Sequence, residues 1–325
     1  MRHESDMHFS RYIPRVRFLA LLAAAASAGA AAPGRADAQS RYAGRDTRDT
    51  RATIDTTFAF DKSGLVQLTT TSGDIIVTGS ANNQVHVHVT SEDRNVRMDA
   101  SSGRLNLEQT SGGDGDVRYE VSVPYGVRVI TRARSGDISV RGTRGEVEAN
   151  SQNGDVRVED VVGHLDVGTF SGDVTADRIR ATVRVNAING DVTVRGLTGD
   201  ADITTVSGDV EISDAVSRDI RLQSTSGDLS YAGVIDTAGR YDLTTHSGDV
   251  ELRIPRSASA QMTVSTWSGT IDSEFPIVLR PGEHGIGISS TKHFTFDIGR
   301  GESRIDAETF SGDITIRTTG AQSGQ

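Results

Sequence analysis

Residues 135–212 read SGDISVRGTRGEVEANSQ, NGDVRVEDVVGHLDVGTF, SGDVTADRIRATVRVNAI, NGDVTVRGLTGDADITTV and SGDVEI: four full copies of an 18-residue unit and the start of a fifth. A Ser/Asn-Gly-Asp tripeptide opens each copy, at Ser135, Asn153, Ser171, Asn189 and Ser207. Outward from this block the tag continues at Ser226, Ser247 and, with Thr in place of Asp, Ser268, so the steps lengthen to 19, 21 and 21. One more copy begins at Ser311, 43 residues further on, a gap sized for two coils of about 21 residues. Upstream, Ser72-Gly73-Asp74 is an isolated early copy.

The apolar residues keep the same register as the tag. Ile138, Val156, Val174, Val192 and Val210 follow the Asp, and two residues later stand Val140, Val158, Ala176, Val194 and Ile212. Half a period on, Val147, Leu165, Val183 and Ala201 align, followed by Ala149, Val167, Val185 and Ile203. Each unit therefore holds two short period-2 runs rich in β-branched residues, too short to be helices. Glycine-bearing turns separate them, and the tag suits a tight reversal in which Gly takes positive φ while Ser, Asn or Asp bonds nearby amides. Hairpins of an antiparallel meander or a propeller are the rival arrangement. One residue type at one fixed step is better explained by coils stacked in register, each giving backbone partners to the next.

The fold class read from the sequence is thus all-β, a parallel β-solenoid (β-helix) with flattened coils of about 18–21 residues and two short strands per coil. The crossover rule makes it right-handed. About 13 coils at the strand spacing would give a rod of roughly 60 Å.

Residues 1–38 have the form of an export signal. Arg11, Arg15 and Arg17 precede an apolar run from Phe18 to Ala32, and Ala36-Asp37-Ala38 offers a small-x-small cleavage site. That run is too short to span a bilayer well, and no integral membrane segment is expected after cleavage. Residues 39–52 read as a disordered linker, 53–317 as a single solenoid domain, and 318–325 as a C-terminal tail. Within the domain, 53–134 form irregular N-terminal coils and 135–317 regular ones. The location implied is extracytoplasmic, whether periplasmic, cell-surface or secreted. With 34 basic and 44 acidic residues and a net charge of −10, the chain makes nucleic acid an unfavourable partner. There is no cysteine, so backbone ladders and core packing must do what disulfides do in many exported domains.

The layout Val121-Ser122-Val123-Pro124, Val127-Arg128-Val129, then Ser135-Gly136-Asp137-Ile138-Ser139-Val140 resembles bacterial adhesin-type domains of the DUF4097 kind, similar in style to auto-transporter adhesin heads. It is echoed by Leu252-Arg253-Ile254-Pro255, Met262-Thr263-Val264 and Ser268-Gly269-Thr270-Ile271. The resemblance implies a β-helical fold and an envelope or surface role as an adhesin-like binding or structural protein. It supplies no catalytic residues.

Residue chemistry points the same way. Asp137, Asp155, Asp173, Asp191 and Asp209 form a column that either caps turn amides or, in the sharper reading, holds calcium with turn carbonyls, which would make the chain a calcium-stabilised spacer. The acidic loop Ser111-Gly112-Gly113-Asp114-Gly115-Asp116 stands alone rather than repeating as in calcium-loaded β-rolls. His86 and His88 alternate with Val85, Val87 and Val89 and so share one outward strand face, two ligands without a third. A carbohydrate-active β-helix enzyme, lyase or hydrolase, would break the repeat's symmetry with a cluster of unusual polar residues, and no coil does so. No catalytic, cofactor-binding or metal-ligating residue is therefore assigned, and no cofactor. The partner expected is a protein or glycan, met along outward positions such as Ser139, Arg141, Arg157, Thr193 and Arg195, with Trp267 and Phe170 as candidate anchors. Open end coils leave self-association available.

Overall fold

A computed structural model describes residues 52–91, 95–110, 115–276 and 292–319. The export signal, nearly all of the linker, the loop 111–114 and the tail beyond 319 lie outside the described residues. The chain order begins with β1 (Ala52–Ala59), β2 (Leu65–Ser72), β3 (Ile75–Ser80), β4 (Gln84–Ser91), β5 (Val96–Ala100) and β6 (Arg104–Gln109). Next come β7 (Val117–Pro124), β8 (Arg128–Ser135), β9 (Ile138–Arg141), β10 (Arg144–Asn153), β11 (Val156–Glu159) and β12 (Val162–Ser171). They are followed by β13 (Val174–Asp177), β14 (Arg180–Asn189), β15 (Val192–Arg195), β16 (Ala201–Ser207), β17 (Val210–Ser226) and β18 (Leu229–Ser247). The described chain closes with β19 (Val250–Ile254), β20 (Ala260–Ser268), β21 (Ile271–Ser273), β22 (Lys292–Ile298), β23 (Ser303–Ser311) and β24 (Ile314–Thr318). No helix among the described residues is long and apolar enough to cross a membrane.

The repeat behaves as a solenoid. In the strict block each strand pairs in parallel with the strand one period away, Val156 with Ile138 and Val174, Val147 with Val129 and Leu165. Parallel pairing at a fixed offset rules out the meander, whose neighbours would be antiparallel. Two strand columns result, one before each tag and one after it, joined by the tag turn at one edge and a second turn at the other. In the longer coils β17 runs through the second turn without a break, bending at register shifts between Ile212 and Ala215 and between Ser217 and Asp219.

The order of the levels departs from the order of the chain at both ends. At the start β2 lies between β6 and β8, and β3 between β7 and β9, so the first coil of the sequence is the second level of the stack. At the finish β23 lies between β18 and β20, and β24 between β19 and β21, so the last coil in sequence is the penultimate level. Among the described residues the stack has eleven levels, from β6/β7 to β20/β21, rather than the 13 coils expected. At strand spacing that is about 48 Å of stack. The shortfall arises because three N-terminal strands and one C-terminal strand run antiparallel. β4 and then β1 lie on β7, β5 lies on β6, and β22 lies on β20. The 43-residue gap before Ser311 is thus not two further parallel coils; β22 and the return of β23 into the stack occupy its described part.

The core follows the alternation. Val147, Ala149, Val156 and Val158 of one coil are fully buried, and Leu165, Val167, Val174 and Ala176 repeat them in the next. A third column, Val161, Ile179 and Leu197, tucks in from the second turn. Beneath the tag the inward residue is small and polar. Thr245, Thr309 and Thr266 donate their hydroxyls to the carbonyls of Gly227, Gly248 and Gly312, the tag glycines of the adjoining levels, at 2.9–3.1 Å. The few large side chains gather toward the ends, where Tyr119, Tyr231, Tyr241 and Phe296 are fully buried.

Candidate binding surface on the tag edge

The tag glycines explain why the edge is so regular. Gly136, Gly154, Gly172, Gly190 and Gly208 have φ between 131° and 147°, where side chains are strained. A Cβ on Gly190 would also overlap the carbonyl oxygen of Gly172, the glycine directly beneath it. Each Gly amide donates to the level above, as Gly172 does to Asn189 and Gly190 to Ser207, at 3.0–3.1 Å.

The Asp column is an amide-capping ladder. The carboxylate of Asp137 accepts the backbone N–H of Asp155, Asp155 that of Asp173, Asp173 that of Asp191, and Asp191 that of Asp209, all at 2.9 Å. It continues through Asp228 and Asp249, then to Asp313 and from Asp313 to the amide of Thr270. Along this ladder the chain numbers jump from 249 to 313 and back to 270, the same order as the strands. One oxygen of each carboxylate is engaged by an amide, which offsets repulsion between like charges stacked at level spacing. The hydrogen bond from Thr270 holds the Asp313 carboxyl below the usual range, with Lys292 adding to the effect.

The residue just before each tag points outward. In level order this column runs Phe170, Ile188, Val206, Thr225, His246, Phe310 and Trp267, all exposed. Phe310 and Trp267 are each 48% exposed and Phe170 52%. Three rings stack: His246 on Phe310 with centroids 4.9 Å apart and planes 11° apart, and Phe310 on Trp267 at 5.9 Å and 7°. The stack exists only because β23 enters between β18 and β20, placing Phe310 between two residues that precede it in the chain. Trp267 and Phe170, singled out from the sequence, do lie on the surface, but they stand at opposite ends of this column and Phe170 is not part of the ring stack. Phe310 and His246 were missed. Aligning every tag and reading the preceding residue would have placed them in the column, though not beside each other.

The outward arginines are mostly spent on neighbours. Glu159 receives Arg157 at 2.6 Å and Arg141 at 3.1 Å, and the Arg157 hydrogen bond is the main cause of its lowered pKa. Arg128 and Arg132 reach Glu146 and Glu148, and Arg253 and Arg317 share Glu251. The face carrying Arg141 and Arg157 is therefore an ion-pair lattice more than an open cationic surface. His86 and His88 project from β4 toward Asp55 of β1, their Nδ1 atoms 3.8 and 3.4 Å from its carboxylate, and Thr57 lies 2.9 Å from His86. Among the described residues no three His, Asp or Glu side chains are grouped so as to hold a metal ion. From the acidic loop, Asp116 accepts the Ser72 hydroxyl at 2.5 Å.

The family model Toastrack DUF4097 matches residues 118–317. No curated protein matches the sequence. Among solved structures, the chain is similar to a putative cell adhesion protein from Clostridium sporogenes ATCC 15579, with 8% identity, 82% of this chain and 100% of that chain covered, and a TM-score of 0.22. A putative adhesin from Bacteroides fragilis NCTC 9343 shows 15% identity over 56% of this chain and 97% of that chain, with a TM-score of 0.38. Another, from Parabacteroides merdae ATCC 43184, shows 10% identity over 82% of this chain and 96% of that chain, with a TM-score of 0.26. With its model matching most of the strand-bearing chain, the family is settled: this chain belongs to the Toastrack DUF4097 family.

Proposed function

We propose that this protein is an exported, non-catalytic, adhesin-like binding protein of the bacterial envelope or surface that engages its partner along the tag edge. The observation behind the reading is the ring stack of His246, Phe310 and Trp267. Large aromatic side chains are costly to leave in water, and core positions for them exist elsewhere in the fold. Here they are held in parallel at level spacing on a rigid backbone, so little conformational freedom is lost on binding. The apolar members Phe170, Ile188 and Val206 extend the strip, giving a partner several equivalent contacts along one line. The Asp ladder borders it with a stripe of negative charge. A protein or glycan with an apolar face and polar or cationic margins fits such a strip.

The test is binding of the chain from residue 39 to 325 to an array of envelope and host glycans and matrix proteins, with and without calcium. Wild type is compared with Trp267→Ala and Phe310→Ala. Saturable binding to one class, weakened at least tenfold by either substitution, supports the reading. Binding that neither substitution alters places the partner elsewhere, and a stable protein that binds nothing on the array removes simple adhesion.

A further inference from the structure

On the edge opposite the tag lies a concavity of about 420 Å³ that the adhesin reading does not use. Such a volume is within the range of small-ligand sites. Its wall is a column in strict register. Arg144 of β10 pairs with Val162 of β12, and Val162 with Arg180 of β14. The two arginines thus stand two levels apart, about 10 Å, with an exposed valine between them. The guanidinium of Arg144 lies 4.5 Å over the ring of Tyr125.

The second wall is the turn column Gly142, Asp160, Arg178 and Gly196, all at φ between 52° and 69°. Its two outer members have no side chain, which is what hollows the surface. Asp160 is spent within the wall: Arg178 holds it at 2.8 and 3.1 Å, and this hydrogen bond keeps its carboxyl below the usual range. Arg178 also meets Asp177 and, at 3.7 Å, Glu159. Arg178 is taken up by these acids, and Arg141 and Arg157 also reach Glu159. The cationic groups facing the hollow that form no ion pair among the described residues are Arg144 and Arg180, the latter adding to the field that lowers the Asp160 pKa.

Two planar guanidinium forks, an aromatic ring and an apolar side chain in one open hollow match a particular ligand chemistry. The forks donate paired N–H bonds to carboxylate, sulfate or phosphate oxygens. Val162 offers apolar contact to the ring carbons of a sugar, while the Tyr125 ring backs the Arg144 guanidinium. Arg144, Val162 and Arg180 follow one another on successive levels, so a chain can lie over them along the stack direction. We propose that this edge is a binding site for a linear anionic polysaccharide, whose acidic groups are taken by Arg144 and Arg180 while a sugar ring rests between them on Val162. The site is separate from the ring stack and goes beyond the adhesin reading.

The experiment measures equilibrium binding of the 39–325 chain to a sulfated glycosaminoglycan, polygalacturonate, a polyol-phosphate polymer and neutral dextran, at low and high salt. Both guanidiniums are exposed, so Arg144→Ala/Arg180→Ala should melt as wild type does. The expected result is saturable binding to at least one anionic polymer, none to dextran, and weakening by salt. The double substitution should reduce affinity at least tenfold while Trp267→Ala leaves it unchanged. The three anionic arms tell sulfate, carboxylate and phosphate apart. No binding to any of them at low salt, equal binding to dextran, or full affinity in the double variant would overturn the site. Because Trp267→Ala reports on the other edge, failure of either reading is visible without the other.

Discussion

Substituting Gly190 by alanine tests how tightly the tag turn is specified. At φ 140° the backbone is in a region that side chains avoid, which costs about 1–3 kcal/mol. The new Cβ would also overlap the Gly172 carbonyl, whose backbone atoms cannot swing aside as the nearby Asp173 side chain could. Relief requires the levels to part locally, loosening the bonds Gly190 N–H to Ser207 and Asp191 N–H to Asp173, about 1 kcal/mol each. The sum is roughly 3–5 kcal/mol, and at about 2–4 °C per kcal/mol for a chain of this size the melting temperature should fall by roughly 10 °C. Gly196→Asp is the matched control. Gly196 sits at φ 64°, a Cβ there would stand 3.6 Å from its nearest neighbour, and its equivalents one and two periods away are Arg178 at 55° and Asp160 at 52°. That column already tolerates Asp, so the cost should be about 1 kcal/mol or less. Thermal unfolding followed by circular dichroism reads both. Equal shifts for the two variants, or a Gly190→Ala protein within about 2–3 °C of wild type on that scale, would refute the argument that stacked tag glycines are sterically required.

Further outcomes follow from the ladder and the core. Asp191→Asn keeps an acceptor oxygen for the Asp209 amide and should be nearly neutral, whereas Asp191→Ala removes it and should cost about 1 kcal/mol, read from the same melting curves. Amide caps engage one oxygen of each Asp without a cation, so chelator should leave the melting temperature unchanged; a fall reversed by calcium would favour the calcium-stabilised spacer. Burial raises the pKa of Tyr119, Tyr231 and Tyr241. A raised folded-state value means this stability is fully present below the unfolded tyrosine pKa of about 10 and is lost as the pH climbs above it. Unfolding monitored against pH should therefore show an alkaline transition that Tyr231→Phe moves upward, and an unmoved midpoint would count against it.

How far the sequence alone could be read depends on which interactions set each feature. The column Ile138, Val156, Val174, Val192 and Val210 was legible because a period-2 run repeated every 18 residues fixes both strand and register, and the parallel pairings match it residue by residue. The Asp ladder was legible as turn capping for the same reason, one residue type at one step. The out-of-order levels were not. Equivalent coils present near-identical surfaces above and below, so nothing in Ser72-Gly73-Asp74 or Ser311-Gly312-Asp313 says which neighbour each meets. The antiparallel β1, β4, β5 and β22 share the alternation of the parallel strands, and alternation does not encode direction. The ring stack was hidden in consequence, since Phe310 lies 43 residues from Trp267 in the chain and one level from it in space. Arg144 and Arg180 carry no signal of their own in the sequence; the hollow they border depends on Gly142 and Gly196 at the ends of the neighbouring turn column.

The proposed binding strip rests on β23 lying between β18 and β20, and cross-linking tests that directly because the native chain has no cysteine. Thr244 pairs with Glu308, and Glu308 with Ser265, so Thr244 and Ser265 are two levels apart. Disulfides need Cα atoms within about 7 Å, which adjacent levels satisfy and alternate levels, about 10 Å apart, do not. Thr244→Cys/Glu308→Cys should oxidise to an intramolecular disulfide while Thr244→Cys/Ser265→Cys stays reduced under the same conditions. The reverse pattern would mean that the coils stack in chain order, and that the stack of His246, Phe310 and Trp267 does not form.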